Sequence, residues 1–220
     1  LPLAALALIW MVPDGPVWQV TVLGRDLVLL QGTTVGRLFG TVFTLMAFGG
    51  TLYAMGRRDR FELSAALLYA GSAVGVTGAG DLVTVFVFWE IMAIGSTLVL
   101  WMAGPGARGA AHRYALMHLL GGVLLMAGIA GIAADGGSLA FDAIALDGVP
   151  AWLILIGFLI NAGAPPFSGW LPDAYPEASP AGTVFLSAFT TKTAVFVLLV
   201  CFAGVDLLIW VGLWMVFYGI

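Results

Sequence analysis

The sequence predicts an all-α fold: a polytopic bundle of transmembrane helices, one of them broken. Three observations predict it. Of the 220 residues, 61% are hydrophobic and 9% charged, against about 25% charged in a soluble domain. Mean hydropathy is +1.07. The apolar residues also gather into runs long enough to cross a bilayer, with room for roughly eight spans of about 20 residues each. The net charge of −4 sits in loops and at a few points inside runs, and no basic stretch of the kind that binds nucleic acid is present. Cys201 is the single cysteine, which excludes an intramolecular disulfide and a cysteine-based metal site. No nucleophile–base pair, metal cluster or cofactor motif is legible.

The elements follow in order along the chain. The first apolar run, about 1–12, has no basic leader and reads as a truncated span, not a signal peptide. Pro13, Asp14, Gly15 and Pro16 end it. Two β-prone pieces, Val17–Leu23 and Leu27–Leu30, flank Gly24-Arg25-Asp26 and predict a short hairpin outside the bilayer. Long apolar runs follow near 34–56, 61–79, 82–103, 110–134 and 151–171. Another covers about 183–203, and one more starts near Leu207 and breaks off at Tyr218-Gly219-Ile220. Both ends read as cut, as in a piece of a longer polypeptide. Gly36/Gly40 and Gly71/Gly75 have the small-xxx-small spacing that lets helix backbones approach.

Loop charge orients the bundle. Arg57, Arg58 and Arg60 lie between two runs, and Arg108 and Arg113 flank a later turn on the same side. The positive-inside rule makes that side cytoplasmic. The hairpin around Arg25, the Asp81 turn and the loop bearing Asp135, Asp142 and Asp147 then face outward. The expected location is the cell inner (plasma) membrane, multi-pass, in contact with the lipid bilayer.

Ionisable residues inside spans mark the candidate site. A charge at the bilayer centre costs at least about 2.5–3.5 kcal/mol on insertion scales. Glu90 falls near the middle of its run. Removal from water favours its neutral form unless a cation lies near, which suits proton uptake and release. The alternative is a hydrogen-bonded glutamate that only ties helices together. Lys192 is the one lysine, roughly nine residues from either end of its run. It reads as a buried proton store with Thr190, Thr191 and Thr193 ordering water around it, or as a lysine snorkelling to an interface. His118 reads as a proton relay or a structural histidine, and His112 as interfacial. The run at 151–171 should break at Asn161-Ala162-Gly163-Ala164-Pro165-Pro166, because prolines remove backbone donors and clash with the preceding turn. Such breaks line wet cavities or serve as packing kinks. In the loop after Trp170, Asp173 and Glu177 read as proton-intake carboxylates or as solvated loop and cap residues.

Phe88-Trp89-Glu90, the Asn161–Phe167 break, the loop Trp170-Leu171-Pro172-Asp173-Ala174-Tyr175-Pro176-Glu177-Ala178, and Thr191-Lys192-Thr193 together resemble the core of the proton-translocating antiporter family. That family includes the large A-type and D-type components of Mrp cation/proton antiporters, the antiporter-like subunits of respiratory complex I, and related hydrogenase subunits. The likeness is strongest from about 81 to 192 and closest to the D-type Mrp component. It implies an inverted-repeat fold of which this chain is a fragment: helices and an outward hairpin (17–31) in 1–58, a first five-helix repeat in 59–204, and the start of a second in 205–220. It implies that Glu90 pairs with a basic residue, that Lys192 passes protons toward the membrane centre, and that His118 contributes to the relay. It places the family's broken-helix lysine at Asn161, an amide that carries no charge. Either Lys192 takes over as partner, or this half-channel is altered. The function implied is cation/proton (Na⁺/H⁺) antiport within a complex of other membrane subunits. The alternatives are a proton-pumping, non-redox subunit of an NADH-quinone oxidoreductase or membrane-bound hydrogenase, or a non-conducting scaffold. No cofactor of its own is implied.

Overall fold

The computed structural model describes residues 1–22, 24–56 and 60–219. Leu23 of the hairpin, Arg57 and Arg58 of the basic loop, and Ile220 lie outside the described residues.

Helix α1 (Pro2–Met11) leads into two antiparallel strands, β1 (Gly15–Val22) and β2 (Arg25–Gly32). Helices α2 (Thr34–Ala54), α3 (Arg60–Gly78), α4 (Leu82–Met102), α5 (Arg108–Ala134) and α6 (Val149–Ala162) follow. A 3₁₀ turn (Phe167–Gly169) and the short α7 (Trp170–Ala174) return the chain to α8 (Pro180–Ala188), α9 (Thr190–Cys201) and α10 (Asp206–Gly219). Five stretches are long and apolar enough to cross a membrane: Thr34–Ala54, Leu82–Met102, Arg108–Ala134, Val149–Ala174 and Pro180–Cys201. Helix α3 has spanning length too, but Arg60 and Glu62 occupy its first turn.

Helix starts are set by short polar side chains that satisfy orphan backbone donors. Thr33 accepts from the Gly36 amide at 3.0 Å, Asp81 from Thr84 at 2.8 Å and Ser179 from Gly182 at 2.9 Å. Lipid offers helices no hydrophobic drive to associate, so close approach of small residues carries the packing. Gly95 of α4 lies on the Tyr69 backbone of α3, and Gly157 of α6 lies on Gly121 and Leu125 of α5. Of the two spaced pairs read from the sequence, Gly36 and Gly40 pack on Thr77 and Gly75 packs on Phe88, while Gly71 meets open space. Phe43, Phe185, Phe189 and Phe196 are fully buried and form an aromatic seam with Phe39 and Phe141.

The hairpin end of the bundle is tied by buried polar contacts. Asp81, 2% exposed, accepts from the Thr84 amide and hydroxyl and also from the Val28 amide of β2 at 2.8 Å. Arg25, at the hairpin turn, donates to the Ala133 carbonyl at 2.6 Å, in the last turn of α5. The hairpin therefore joins the start of α4 to the end of α5.

The break after Ala162 has the expected place. Gly163 adopts φ 73°, a left-handed cap that an L side chain resists. The Pro165–Pro166 bond is cis. A second interruption was not expected: the run read as continuous over 183–203 is split at Phe189. No proline or glycine causes it. The Tyr69 hydroxyl instead accepts from the Thr190 amide at 2.8 Å, supplying from α3 the partner that the split withholds.

Candidate functional site

The candidate site is built on α4, α5 and α6. Glu90 sits mid-way along α4, half-buried, with its carboxylate over Gly122 of α5. Asn161, at the last turn of α6 and 0% exposed, lies on the neighbouring Gly121. The two glycines thus make room on α5 for polar side chains arriving from both flanking helices. One turn earlier on α5, His118 is 2% exposed. Its Nδ1 is 2.9 Å from the Tyr114 carbonyl. A carbonyl only accepts, so Nδ1 carries the proton and a neutral His118 keeps its lone pair on Nε2.

These buried polar atoms are unmatched. Glu90 Oε1, His118 Nε2, both side-chain polar atoms of Asn161, and Thr193 Oγ1 have no hydrogen-bond partner among the described residues. Leaving a buried polar group without a partner costs about 1–3 kcal/mol, so several near one region of α5 mark a site built for something other than stability. Around them the packing is aromatic. Trp89 meets Phe158 at 5.1 Å. The His118 ring stacks on Tyr114 with centroids 3.9 Å apart and meets Trp170 edge-on at 4.9 Å.

Lys192 lies apart from this group. The helix is interrupted at Phe189, so Lys192 falls in the first turn of α9 although it stays in the middle of the apolar stretch Pro180–Cys201, and its side chain is exposed on the described chain. Its ammonium donates to the Ser187 carbonyl at 2.7 Å and to Thr191 Oγ1 at 3.1 Å. No ion pair joins it to Glu90; among the described residues the ion pairs are Arg37–Asp14 and Arg113–Asp173. In the described chain the Lys192 ammonium is therefore held by a backbone carbonyl and a hydroxyl of its own segment.

The remaining expected residues divide. Thr190 is buried in a network, its hydroxyl 2.5 Å from Tyr69 OH and 3.3 Å from Tyr114 OH. Thr193 is buried in α9, and the Thr191 hydroxyl accepts from the Lys192 ammonium. Pro165 and Pro166 stand in the unwound turn after α6. Asp173 is held by Arg113 through two parallel bonds, Nε to Oδ2 at 2.8 Å and a terminal nitrogen to Oδ1 at 2.7 Å. Glu177 is exposed. Sequence reasoning passed over Tyr69, Tyr114 and Trp170. Tyr114 had a signal, since it lies four residues before His118 and so on the same helix face; Tyr69 and Trp170 are recruited by tertiary packing.

Known proteins resemble this chain over most of its length. The family described as NADH:quinone oxidoreductase/Mrp antiporter, transmembrane, matches residues 79–220. A probable K⁺/H⁺ antiporter A/B component of Rhizobium meliloti is 31% identical over 178 residues, covering 73% of this chain and 18% of that protein. NAD(P)H-quinone oxidoreductase chain 4 1 of Picosynechococcus is 30% identical over 193 residues, covering 83% and 35%. A chain in the structure of the Mrp complex from Dietzia superposes with a TM-score of 0.76 at 27% identity, over 96% of this chain and 44% of that one. The chain therefore spans about a third or less of these curated relatives.

Proposed function

The chain belongs to the NADH:quinone oxidoreductase/Mrp antiporter transmembrane family, and on that premise we propose that it is an ion-translocating, antiporter-like subunit of a multisubunit complex in the plasma membrane. The reading is Na⁺/H⁺ antiport of the Mrp type, with protons crossing the described region by way of Glu90 and His118. Residues 59–204 would form the first repeat, preceded by the helices and hairpin of 1–58 and followed by the opening of the second in 205–220.

The observation that carries the reading is the set of unmatched polar atoms on Glu90, His118 and Asn161 beside Gly121 and Gly122. A carboxyl oxygen without a partner can take up and release a proton without disturbing the packing, and an imidazole with a free Nε2 accepts a proton without breaking a bond. Water bridging such groups supplies a path at little cost in immobilisation. Lys192, exposed on this chain, is suited to an exchange with whatever packs over α9 in the full protein.

Na⁺-induced collapse of ΔpH in inverted vesicles tests the reading, using the full-length subunit with its partners. Glu90→Gln and His118→Leu should abolish collapse while assembly persists. Wild-type transport by both variants refutes the path. The uncharged Asn161 favours one second reading, a subunit that keeps the fold without conducting. In that case wild type is silent in the assay and Asn161→Lys, which returns a cation to the broken helix, restores activity. The resemblance to a quinone oxidoreductase chain leaves redox-driven pumping as the alternative source of energy for the same path.

A further inference from the structure

A cavity of about 600 Å³ lies beside the broken helix, lined by Arg113, Leu116, Met117, Phe167, Trp170 and Asp173 among others. Its rim carries the Arg113–Asp173 ion pair, with side chains 62% and 34% exposed. Its inner wall is Trp170, 4% exposed. The same indole meets the ring of His118 at 4.9 Å and that of Tyr114 at 5.4 Å. Trp170 is fixed in this position by its own ring N–H, which donates to the Ile160 carbonyl at 3.0 Å. That carbonyl also receives the Gly163 amide at 3.1 Å, so it belongs to the turn where α6 unwinds.

We propose that this cavity is a water-filled vestibule leading to His118, and that Trp170 is the plug that closes it. The proposal deepens the proton-path reading above and rests on it for the identity of what passes. Three observations carry it. One wall includes Pro166 of the unwound turn after α6, and irregular backbone at membrane depth stands only against protein or water, not lipid. The mouth holds two charged groups, which lipid tails would desolvate at a cost. Trp170, which lines the cavity, also touches the buried His118 imidazole, whose Nε2 is unmatched. Swinging the indole aside breaks one hydrogen bond, and that bond is made to the residue preceding Asn161, so the closed plug is tied to the broken helix.

Cysteine accessibility tests the plug without reading transport. The full-length subunit is prepared with its partner subunits in lipid nanodiscs, with Cys201→Ser as background, and probed with a small cationic methanethiosulfonate. Met117→Cys, in the vestibule, should label readily whether or not Trp170 is altered. His118→Cys should be protected while Trp170 is present. With Trp170→Ala its labelling should speed up about tenfold or more, since the rate follows the population of the open form. Trp170→Phe keeps an aromatic plug but loses the bond to Ile160, and should give a smaller rise; it serves if the alanine variant fails to assemble. Equal labelling of His118→Cys in all backgrounds overturns the plug. Failure of Met117→Cys to label shows a lipid-filled groove and overturns the vestibule. If the expected pattern appears while the ΔpH assay is silent, the vestibule stands and the transport reading falls.

Discussion

Gly122→Ala is the sharpest test of the site, because a single methyl group enters the space that the Glu90 carboxylate uses. A Cβ at Gly122 would overlap Glu90 Oε1 and lie 3.0 Å from Cδ and 3.4 Å from Oε2. These atoms end a flexible side chain, so the carboxylate rotates off α5 while the helices stay in place. Overpacking costs about 1–3 kcal/mol, and alanine in a helix offsets about 1 kcal/mol of that relative to glycine. The net loss of stability should therefore stay within about 2 kcal/mol. Transport should suffer far more: displacing a reacting group by about 1 Å costs up to roughly a hundredfold in rate, and a drop of at least tenfold is expected. Gly71→Ala is the control, since its Cβ meets nothing within 4 Å and should leave both quantities near wild type. The assay is Na⁺-dependent ΔpH collapse normalised to the amount of assembled complex. Wild-type transport by assembled Gly122→Ala refutes the placement of Glu90 in the path.

Three further outcomes follow from named contacts. Tyr69→Phe leaves the buried Thr190 amide without its acceptor and should cost about 1–3 kcal/mol, read as a lower denaturation midpoint in detergent; Thr190→Val should be less than additive with it, because the two share one network. Asp81→Ala removes a helix cap and the tie to Val28 and should cost about 2 kcal/mol, with proteolytic sensitivity rising first in the 15–32 hairpin. Arg113→Gln breaks the ion pair at the vestibule mouth, which is more than half exposed on the arginine side, so stability should change by less than about 1 kcal/mol, as measured by thermal unfolding of the assembled complex at low and high salt.

Much of this was legible in the sequence. Apolar run lengths gave the helices, because the bilayer imposes a length that a one-dimensional string records. The break after Asn161 was legible because proline acts locally, through a missing N–H. Glu90 was legible as a candidate because a charge within an apolar run is costly and so stands out against its neighbours. Three features were not. The split at Phe189 has no local cause: it is permitted by a tyrosine on another helix, 121 residues away. The exposure of Lys192 depends on which face of α9 the split turns outward, and four consecutive polar residues, Thr190 to Thr193, show no periodicity that would say. Trp170 could be read as a loop aromatic, since nothing in its neighbours reports that it would lie against His118.

The ties at the hairpin have a mechanical consequence. Helices α4 and α5 are joined by chain at residues 103–107 and, at their far ends, by the contacts that Asp81 and Arg25 make. Two struts fastened at both ends form a closed frame, and a closed frame resists sliding. A slip of one residue is a shift of about 1.5 Å along the axis, and it would have to break the fastenings at the hairpin while straining the short loop opposite. The alignment of Glu90 with Gly122 is therefore held like a scale against its pointer. Freedom is left to the part outside the frame, the unwound end of α6 with Trp170 behind it.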